Sequence, residues 1–211
     1  MSTFYQRTGK RVLDVLVAAT ALAATAPIQI LLAGVVWKSV GRPILFRQVR
    51  PGIHGKPFTL MKFRTMHENC SESEPGTDDE LRLTRAGRWL RSWSLDELPE
   101  LMNVLRGDMS IVGPRPLLPE YLPRYSSEQM RRHEVMPGLT GLAQVKGRNL
   151  VPWEQRFIDD VWYVDHVSFQ LDVAIILKTV AAVFRRHGVT PADSVVMRPF
   201  NEADEQVRHQ Q

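Results

Sequence analysis

The 211-residue chain reads as a mostly helical α/β protein, with an N-terminal re-entrant membrane helix and one compact cytoplasmic domain. Three observations predict this. Val15 to Trp37 is a run of 23 residues without a charge, long enough at about 1.5 Å per residue to cross a bilayer core of ~30 Å. Basic residues flank that run on both sides. Beyond it, helical periodicity dominates, and only two short apolar alternations suit strands.

The anchor comes first, over residues 1–40. Arg7, Lys10 and Arg11 precede the apolar run, and Lys38, Arg42, Arg47 and Arg50 follow it. The positive-inside bias therefore asks for both ends on the cytoplasmic side. Pro27 sits near the middle, where the missing backbone donor predicts a bend. A helix that enters, bends at Pro27 and leaves by the same face satisfies both constraints, provided the freed backbone groups find partners locally. A cleaved signal peptide would cut after Ala24-Thr25-Ala26, directly before Pro27, and the uncharged run continues beyond that point.

Residues 41–200 follow as one domain, and 201–211 as a polar tail. Ile44 and Phe46, then Phe58 and Leu60, flank "RPGIHGKP" and predict a hairpin or loop pair. The stretch 67–80 is acidic and contains serine, as a solvated loop does. "LTRAGRWLRSW" (83–93) predicts a short helix with Trp89, Leu90 and Trp93 on one side and Arg85, Arg88, Arg91 and Ser92 facing outward. A second helix is expected from Ser94 to about Leu105, although Pro99 removes one of its early hydrogen bonds. "RGDMSIVGPRP" breaks it. A basic piece, Glu128 to Val135, leads into "MPGLTGLAQVKGRN", whose glycines suggest a loop. "WEQRFIDDVWYVDH" and "LDVAIILKTVAAVFRRHG" complete the set as helices, the last ending at Gly188.

Composition narrows the class. The chain has one cysteine, Cys70, so it holds no internal disulfide framework. Its net charge of +4 is modest, but residues 1–67 carry ten Lys or Arg against the single acid Asp14. Such a surface expects an anionic partner: lipid headgroups, phosphates or nucleic acid. Against nucleic acid stands the anchor. Six scattered histidines and one cysteine offer no structural zinc site. The chain also lacks a phosphate-binding Walker loop and a G-x-G-x-x-G.

The chemistry-bearing residues are individually ambiguous. Asp96 and Glu97 stand side by side at a helix start. Ser94 with Glu97 three positions on has the form of a capping box, and first-turn acids complement the helix dipole. The same place can bind phosphates, with the carboxylates holding Mg²⁺ and one attacking phosphorus. Arg115 lies between Pro114 and Pro116, so its backbone angle is largely set. It is either an incidental charge on a rigid turn or a bidentate phosphate contact. Lys62 and Arg64 alternate with Phe63, which would put both on one strand face. Arg148 sits in a glycine-rich loop that suits a nucleotide or plain solvent.

Taken in order, the anchor, "KFRTM", "LRSWSLDELPELMNVLRGDMSIVGPRP", "RRHEVMPGLTGLAQVKGRN" and "DDVWYV" resemble the bacterial sugar transferase family, the monotopic phosphoglycosyl transferases. The likeness runs from about Arg7 to Phe200 and is strongest to the small members that start protein glycosylation or O-antigen assembly. It implies a compact cytoplasmic catalytic domain at the bacterial inner membrane. It also implies transfer of a sugar 1-phosphate from a UDP-sugar, with an N-acetylated amino or diamino sugar expected, to polyprenyl (undecaprenyl) phosphate, with release of UMP. By the resemblance Asp96 is the nucleophile, forming a phosphosugar-aspartyl intermediate, and Glu97 assists by metal contact or proton handling. Mg²⁺ is the implied cofactor. Lys62, Arg91, Arg115 and Arg148 are the implied phosphate and nucleotide contacts, with Asp160 as a supporting acid. Where the family's membrane helix breaks at Ser-Pro, this chain has Ala26-Pro27. Two rivals remain at this point: a hexose 1-phosphate transferase for capsule or exopolysaccharide, and a non-enzymatic anchored module whose basic face recruits lipids.

Overall fold

The computed structural model describes residues 4–67, 82–147, 151–185 and 200. A π-helical turn, Tyr5–Gly9, runs directly into α1 (Lys10–Val40), a helix of 31 residues. It is continuous through Pro27. Thr25 Oγ1 donates to Ala21 O at 2.6 Å, and Gln29 Nε2 donates to Thr25 Oγ1 at 2.9 Å, so the turn before the proline carries polar side-chain bonds of its own.

Both ends of α1 are fastened to the same domain. Near its start, Lys10 Nζ donates to Val112 O (2.9 Å), Arg11 donates to Val104 O and Leu105 O, and Asp14 Oδ1 accepts from Ser110 and from the Ile111 amide. At its end, Arg64 Nη2 donates to Val40 O at 2.6 Å, one of the orphan carbonyls of a helix C-terminus. Leu32, Val36 and Val40 then pack on Phe63 and Leu90. The middle is bare: Ala23, Ala24, Ala26, Pro27 and Ile28 are exposed, as are Ile30 and Leu31, at 73% and 71%. An exposed aliphatic stretch between two docked ends suits a lipid environment.

The expected hairpin forms. β1 (Leu45–Pro51) pairs antiparallel with β2 (Pro57–Phe63), Leu45 opposite Phe63 and Pro51 opposite Pro57. His54 (φ 53°) and Gly55 (φ 72°) close it in the left-handed region. α2 (Arg85–Ser92) is capped by Thr84, whose hydroxyl accepts from the Gly87 amide at 2.9 Å. A Cβ at Gly87 would lie 2.1 Å from Thr65 O, so only glycine lets α2 rest on that backbone. Leu90 is buried on this helix, but Trp89 is exposed and not its neighbour in the core.

The expected helix from Ser94 is split. Leu95–Glu97 is a 3-10 turn, and α3 (Glu100–Arg106) begins only after Pro99, ending at Gly107 (φ 90°). Pro99 cannot donate into a preceding turn, so it falls at the N-cap, where no donor is needed. β3 (Ser110–Val112) pairs in parallel with β4 (Gly138–Thr140). Here the expectation of a glycine-rich loop is corrected. The segment forms β4 and then α5 (Leu142–Gly147). Its glycines serve close approach: a Cβ on Gly138 would lie 2.1 Å from Gly113 N, and one on Gly141 2.3 Å from Gly113 O.

Between β3 and β4 lie a 3-10 helix (Pro119–Arg124), the short α4 (Ser127–Met130) with a full Ser126–Gln129 capping box, and a second 3-10 helix (Arg131–Glu134). α6 (Trp153–His166) and α7 (Phe169–Arg185) follow as expected. Gly188 and the acidic stretch 68–80 lie outside the described residues. The core joins Ala18 of α1 to Leu60, Leu101, Val104, Ile111 and Ile175, and a separate aromatic cluster gathers Tyr121, Phe157 and Phe200. Each fully buried side chain of this size contributes roughly 1.5–3 kcal/mol.

Candidate active site

Ser94 adopts the left-handed conformation, with φ 54°. Holding a non-glycine residue there costs on the order of 1 kcal/mol or more. The turn it starts aims both acids into a cleft, rather than capping a helix. The capping box is not formed: Ser94 makes no side-chain cap. Glu97 Oε1 instead accepts from Lys62 Nζ at 2.7 Å and Arg115 Nη2 at 2.6 Å. Two charge-assisted bonds outweigh the single backbone N–H that the capping box would offer.

Asp96 is 8% exposed and accepts no hydrogen bond among the described residues. Burial, and then the Glu97 charge beside it, raise its pKa. For Glu97 burial acts upward too, but the Arg115 and Lys62 cations outweigh it and hold the carboxyl below the usual range. The two acids are thereby pulled apart. Glu100, at the start of α3, is 2% exposed. Its Oε1 lies 3.1 Å from Lys62 Nζ, within ion-pair distance, yet the angle leaves that oxygen without a hydrogen bond. Burial pushes its pKa to about 7.

The basic residues divide by role. Lys62 reaches the dyad from the end of β2, whereas Arg64, one pleat further, turns to the α1 terminus. The expected shared face is therefore broken where β2 ends at Phe63. Arg91 does not face outward as expected, since its Nε donates to Thr65 Oγ1 at 3.0 Å and the residue lines the cleft. Asp160 accepts from Arg132 Nε and Nη2 at 3.1 and 2.8 Å, and Arg132 Nη2 also donates to Arg115 O at 2.7 Å. Asp160 thus supports the Pro-Arg-Pro turn through Arg132, itself 3% exposed. Arg148 lies outside the described residues.

One cleft is lined by Lys62, Arg91, Asp96, Glu97, Arg115 and Asp160, together with Ile30 and Ala33 of α1. Glu100 and Arg132 were not singled out in the sequence. A signal existed for Glu100, three positions after Glu97 and so near it on any helical path. For Arg132 only tertiary packing shows the link.

Asp96 and Glu97 are the residues in the cleft that could hold a hard cation. Asp96 is unbonded, and Glu97 uses only Oε1 for its two cations. Among the described residues no group of three or more His, Cys, Asp or Glu forms a closed metal cage. Mg²⁺ is commonly held by one or two carboxylates plus substrate phosphates, which is the arrangement these two acids could provide.

Comparison with known proteins gives the family. Residues 5–186 match the bacterial sugar transferase family. The chain is 50% identical over 191 residues to an uncharacterised sugar transferase of Bacillus subtilis (strain 168), covering 90% of this chain and 95% of the relative. It is 44% identical over 188 residues to a UDP-glucose:undecaprenyl-phosphate glucose-1-phosphate transferase of Caulobacter vibrioides, covering 82% of this chain and 69% of that protein. An undecaprenyl-phosphate galactose phosphotransferase of Salmonella typhimurium is 39% identical over 199 residues, covering 85% of this chain but 41% of the larger relative. The rival of a non-enzymatic module falls with these matches. The chain belongs to the bacterial sugar transferase family and is a phosphoglycosyl transferase.

Proposed function

We propose that the enzyme transfers a sugar 1-phosphate from a UDP-sugar to polyprenyl phosphate, releasing UMP, in two steps through Asp96. The observation that carries this reading is a buried, unbonded Asp96 beside a Glu97 already occupied by Lys62 and Arg115. In the first step an Asp96 carboxylate oxygen bonds to the β-phosphorus. The bond from that phosphorus to the bridging oxygen breaks, and UMP leaves with the electron pair. In the second step a polyprenyl phosphate oxygen attacks the same phosphorus and frees Asp96. Splitting one transfer in two is the use of a covalent nucleophile. Lys62, Arg91 and Arg115 neutralise phosphate oxygens, the main demand of phosphoryl transfer. Arg132 and Asp160 hold the Arg115 backbone in place. Mg²⁺, bound by Asp96 or Glu97 with the diphosphate, would neutralise developing charge on the phosphate oxygens.

The membrane placement we propose is monotopic, on the cytoplasmic face of the inner membrane. Since Lys10, Arg11, Asp14 and Val40 all bond to one folded domain, the two ends of α1 belong on the same side of the bilayer. The exposed stretch around Pro27 enters the lipid and returns.

For the sugar, the relatives named for a substrate carry glucose or galactose. Those names favour a hexose 1-phosphate over the N-acetylated amino sugar expected above. The test is UMP release by the full chain in detergent, with undecaprenyl phosphate, Mg²⁺ and a panel of UDP-hexoses and UDP-N-acetylhexosamines. Release with UDP-glucose or UDP-galactose supports the hexose reading. Release with none of the panel overturns the reaction. Without acceptor, stoichiometric UMP and a phosphosugar mass on the peptide bearing Asp96 would support the intermediate.

A further inference from the structure

The cleft has a second polar end that the dyad does not use. Arg50 in β1 and Arg156 in α6 both line it, with Tyr121 and Trp153. Arg50 donates to Pro116 O at 3.4 Å and to Gln48 Oε1 at 2.6 Å, while its Nε is buried without a partner among the described residues. Pro116 is the residue after Arg115, so Arg50 sits against the same Pro-Arg-Pro turn that reaches the dyad. Arg156 lies three positions after Trp153, about one helical turn, with its guanidinium carbon 5.3 Å from that ring. Trp153 in turn meets Tyr121 edge-on at 5.7 Å.

We propose that Arg50, Arg156, Tyr121 and Trp153 form the nucleotide end of the cleft, taking the base and phosphate of a uridine nucleotide. This rests on the phosphoglycosyl-transfer reading of the dyad and extends it to substrate orientation. Tyr121 is 7% exposed and packs edge-on against Trp153, while Trp153 is half-buried, stacks on Phe157 and lines the cleft beside these cations. Trp153 is thus the ring with surface for a base joined to a phosphate, and base–aromatic stacking is worth roughly 1–3 kcal/mol. A polyprenyl phosphate offers a phosphate but no aromatic face, so the rings would be wasted on it. The aromatic cluster of Tyr121, Trp153, Phe157 and Phe200 also includes no residue of α1, whereas Val17, Ala21, Ile30 and Ala33 of α1 line the cleft with aliphatic surface. A prenyl chain belongs with the latter. Crowding supports an anion here as well. Burial, then the Arg115 charge, push both Arg50 and Arg156 down to about 10, and a bound phosphate would relieve that repulsion.

The experiment is calorimetric titration of the full chain in detergent with UMP, and separately with inorganic pyrophosphate, for the wild type, Arg50→Gln, Arg156→Gln and Trp153→Leu. Both arginine variants should bind UMP about tenfold more weakly, the loss of one charge-assisted contact. Trp153→Leu should weaken UMP and leave pyrophosphate unchanged. In turnover, KM for the UDP-sugar should rise with the arginine variants while KM for undecaprenyl phosphate stays within about twofold. UMP affinity within twofold of wild type in both arginine variants overturns the inference. So does a rise confined to the lipid acceptor, which would make this a lipid-phosphate site. Melting curves check folding; Arg50→Lys and Arg156→Lys, which keep the charge and the stem, replace any glutamine variant that melts early. Because UMP binding is read without turnover, failure of this subsite and failure of the proposed reaction are separable. A wild type that turns over UDP-sugar with variants that bind UMP normally rejects only the subsite.

Discussion

Two polar networks in this protein use the same kinds of residue and end differently. Around Asp172, 0% exposed, Tyr5 and Lys10 donate to Oδ2 and Tyr163 donates to Oδ1. No buried polar atom of those four side chains is left without a partner among the described residues. Around Glu97, Lys62 and Arg115 converge on one oxygen, while Glu100 Oε1 is buried without a hydrogen bond and Asp96 sits among the charges of Glu97, Lys62, Arg91 and Arg115 without a hydrogen bond to any of them. A buried polar group without a hydrogen bond costs roughly 1–3 kcal/mol, so closed networks are the rule and open ones need a reason. The Asp172 network locks the start of α1 to β3, α6 and α7. The Glu97 network leaves an oxygen of Glu100 unbonded among the described residues, which suits the ligand proposed for it. The difference separates a fastening from the site proposed above for the reaction, although both combine acids and cations.

The sharpest way to break that contrast is to change the open network's free acid. Asp96→Asn should reduce UMP release by on the order of 10³-fold or more, because an amide is a poor nucleophile. Its melting temperature should not fall, since no hydrogen bond is lost. Near-normal turnover of the variant would remove Asp96 from the nucleophile's role.

The closed network should respond in the opposite manner. Asp172→Ala removes the counter-charge of Lys10 and the partner of the Tyr5 hydroxyl, leaving Lys10 and Tyr163 only the Val112 carbonyl among the described residues, at a cost of about 3–5 kcal/mol to folding. Urea unfolding of the chain in detergent reads this loss. Activity per folded molecule should stay within about twofold of wild type, and a selective loss of turnover would erase the distinction between the networks.

Glu100 supplies a pH test. Its folded pKa of about 7 lies above the ordinary 4.5, so the native state holds a proton that the unfolded chain has lost. Stability from this group is therefore fully present below about pH 4.5 and is lost as pH rises through 7, by about 3 kcal/mol in total. Measured against Glu100→Gln, which cannot titrate, the wild type should lose that advantage over this interval. A constant difference between pH 4.5 and 8 would contradict the assigned proton.

The smallest expected effect concerns Arg115. Arg115→Lys keeps the charge but loses the planar fork. A lost charge-assisted contact of about 1.5–3 kcal/mol predicts a fall in kcat/KM of roughly 10- to 150-fold. A change under about threefold would make the Pro-Arg-Pro segment only a rigid turn beside the open network.

Much of this architecture is legible in one dimension. The uncharged run of α1, the hairpin around "RPGIHGKP" and the helices α6 and α7 each follow from a local property: length without charge, a turn between alternating apolar residues, or a 3.6-residue period. The adjacency of Asp96 and Glu97 is likewise visible directly, and so is the stiffness of Pro114-Arg115-Pro116. These are statements about neighbours in sequence, and near neighbours decide them.

The partners of those residues are another matter. Ser94 and Glu97 have the spacing of a capping box, but Lys62, 35 positions away, takes the carboxylate. Asp160 lies among candidate contacts until Arg132, 28 positions away, is seen to hold it. The glycines of "MPGLTGLAQVKGRN" suggested a loop and instead permit β4 to lie against Gly113. In each case several local choices have similar energy, and a charge-assisted bond or a close backbone approach from elsewhere tips the balance. Sequence alone determined the apolar run of α1, the hairpin, α6, α7 and the order of the chemistry along the chain. Tertiary structure decided which acid was neutralised and which was left open, because pairing over tens of residues depends on packing that no local pattern encodes.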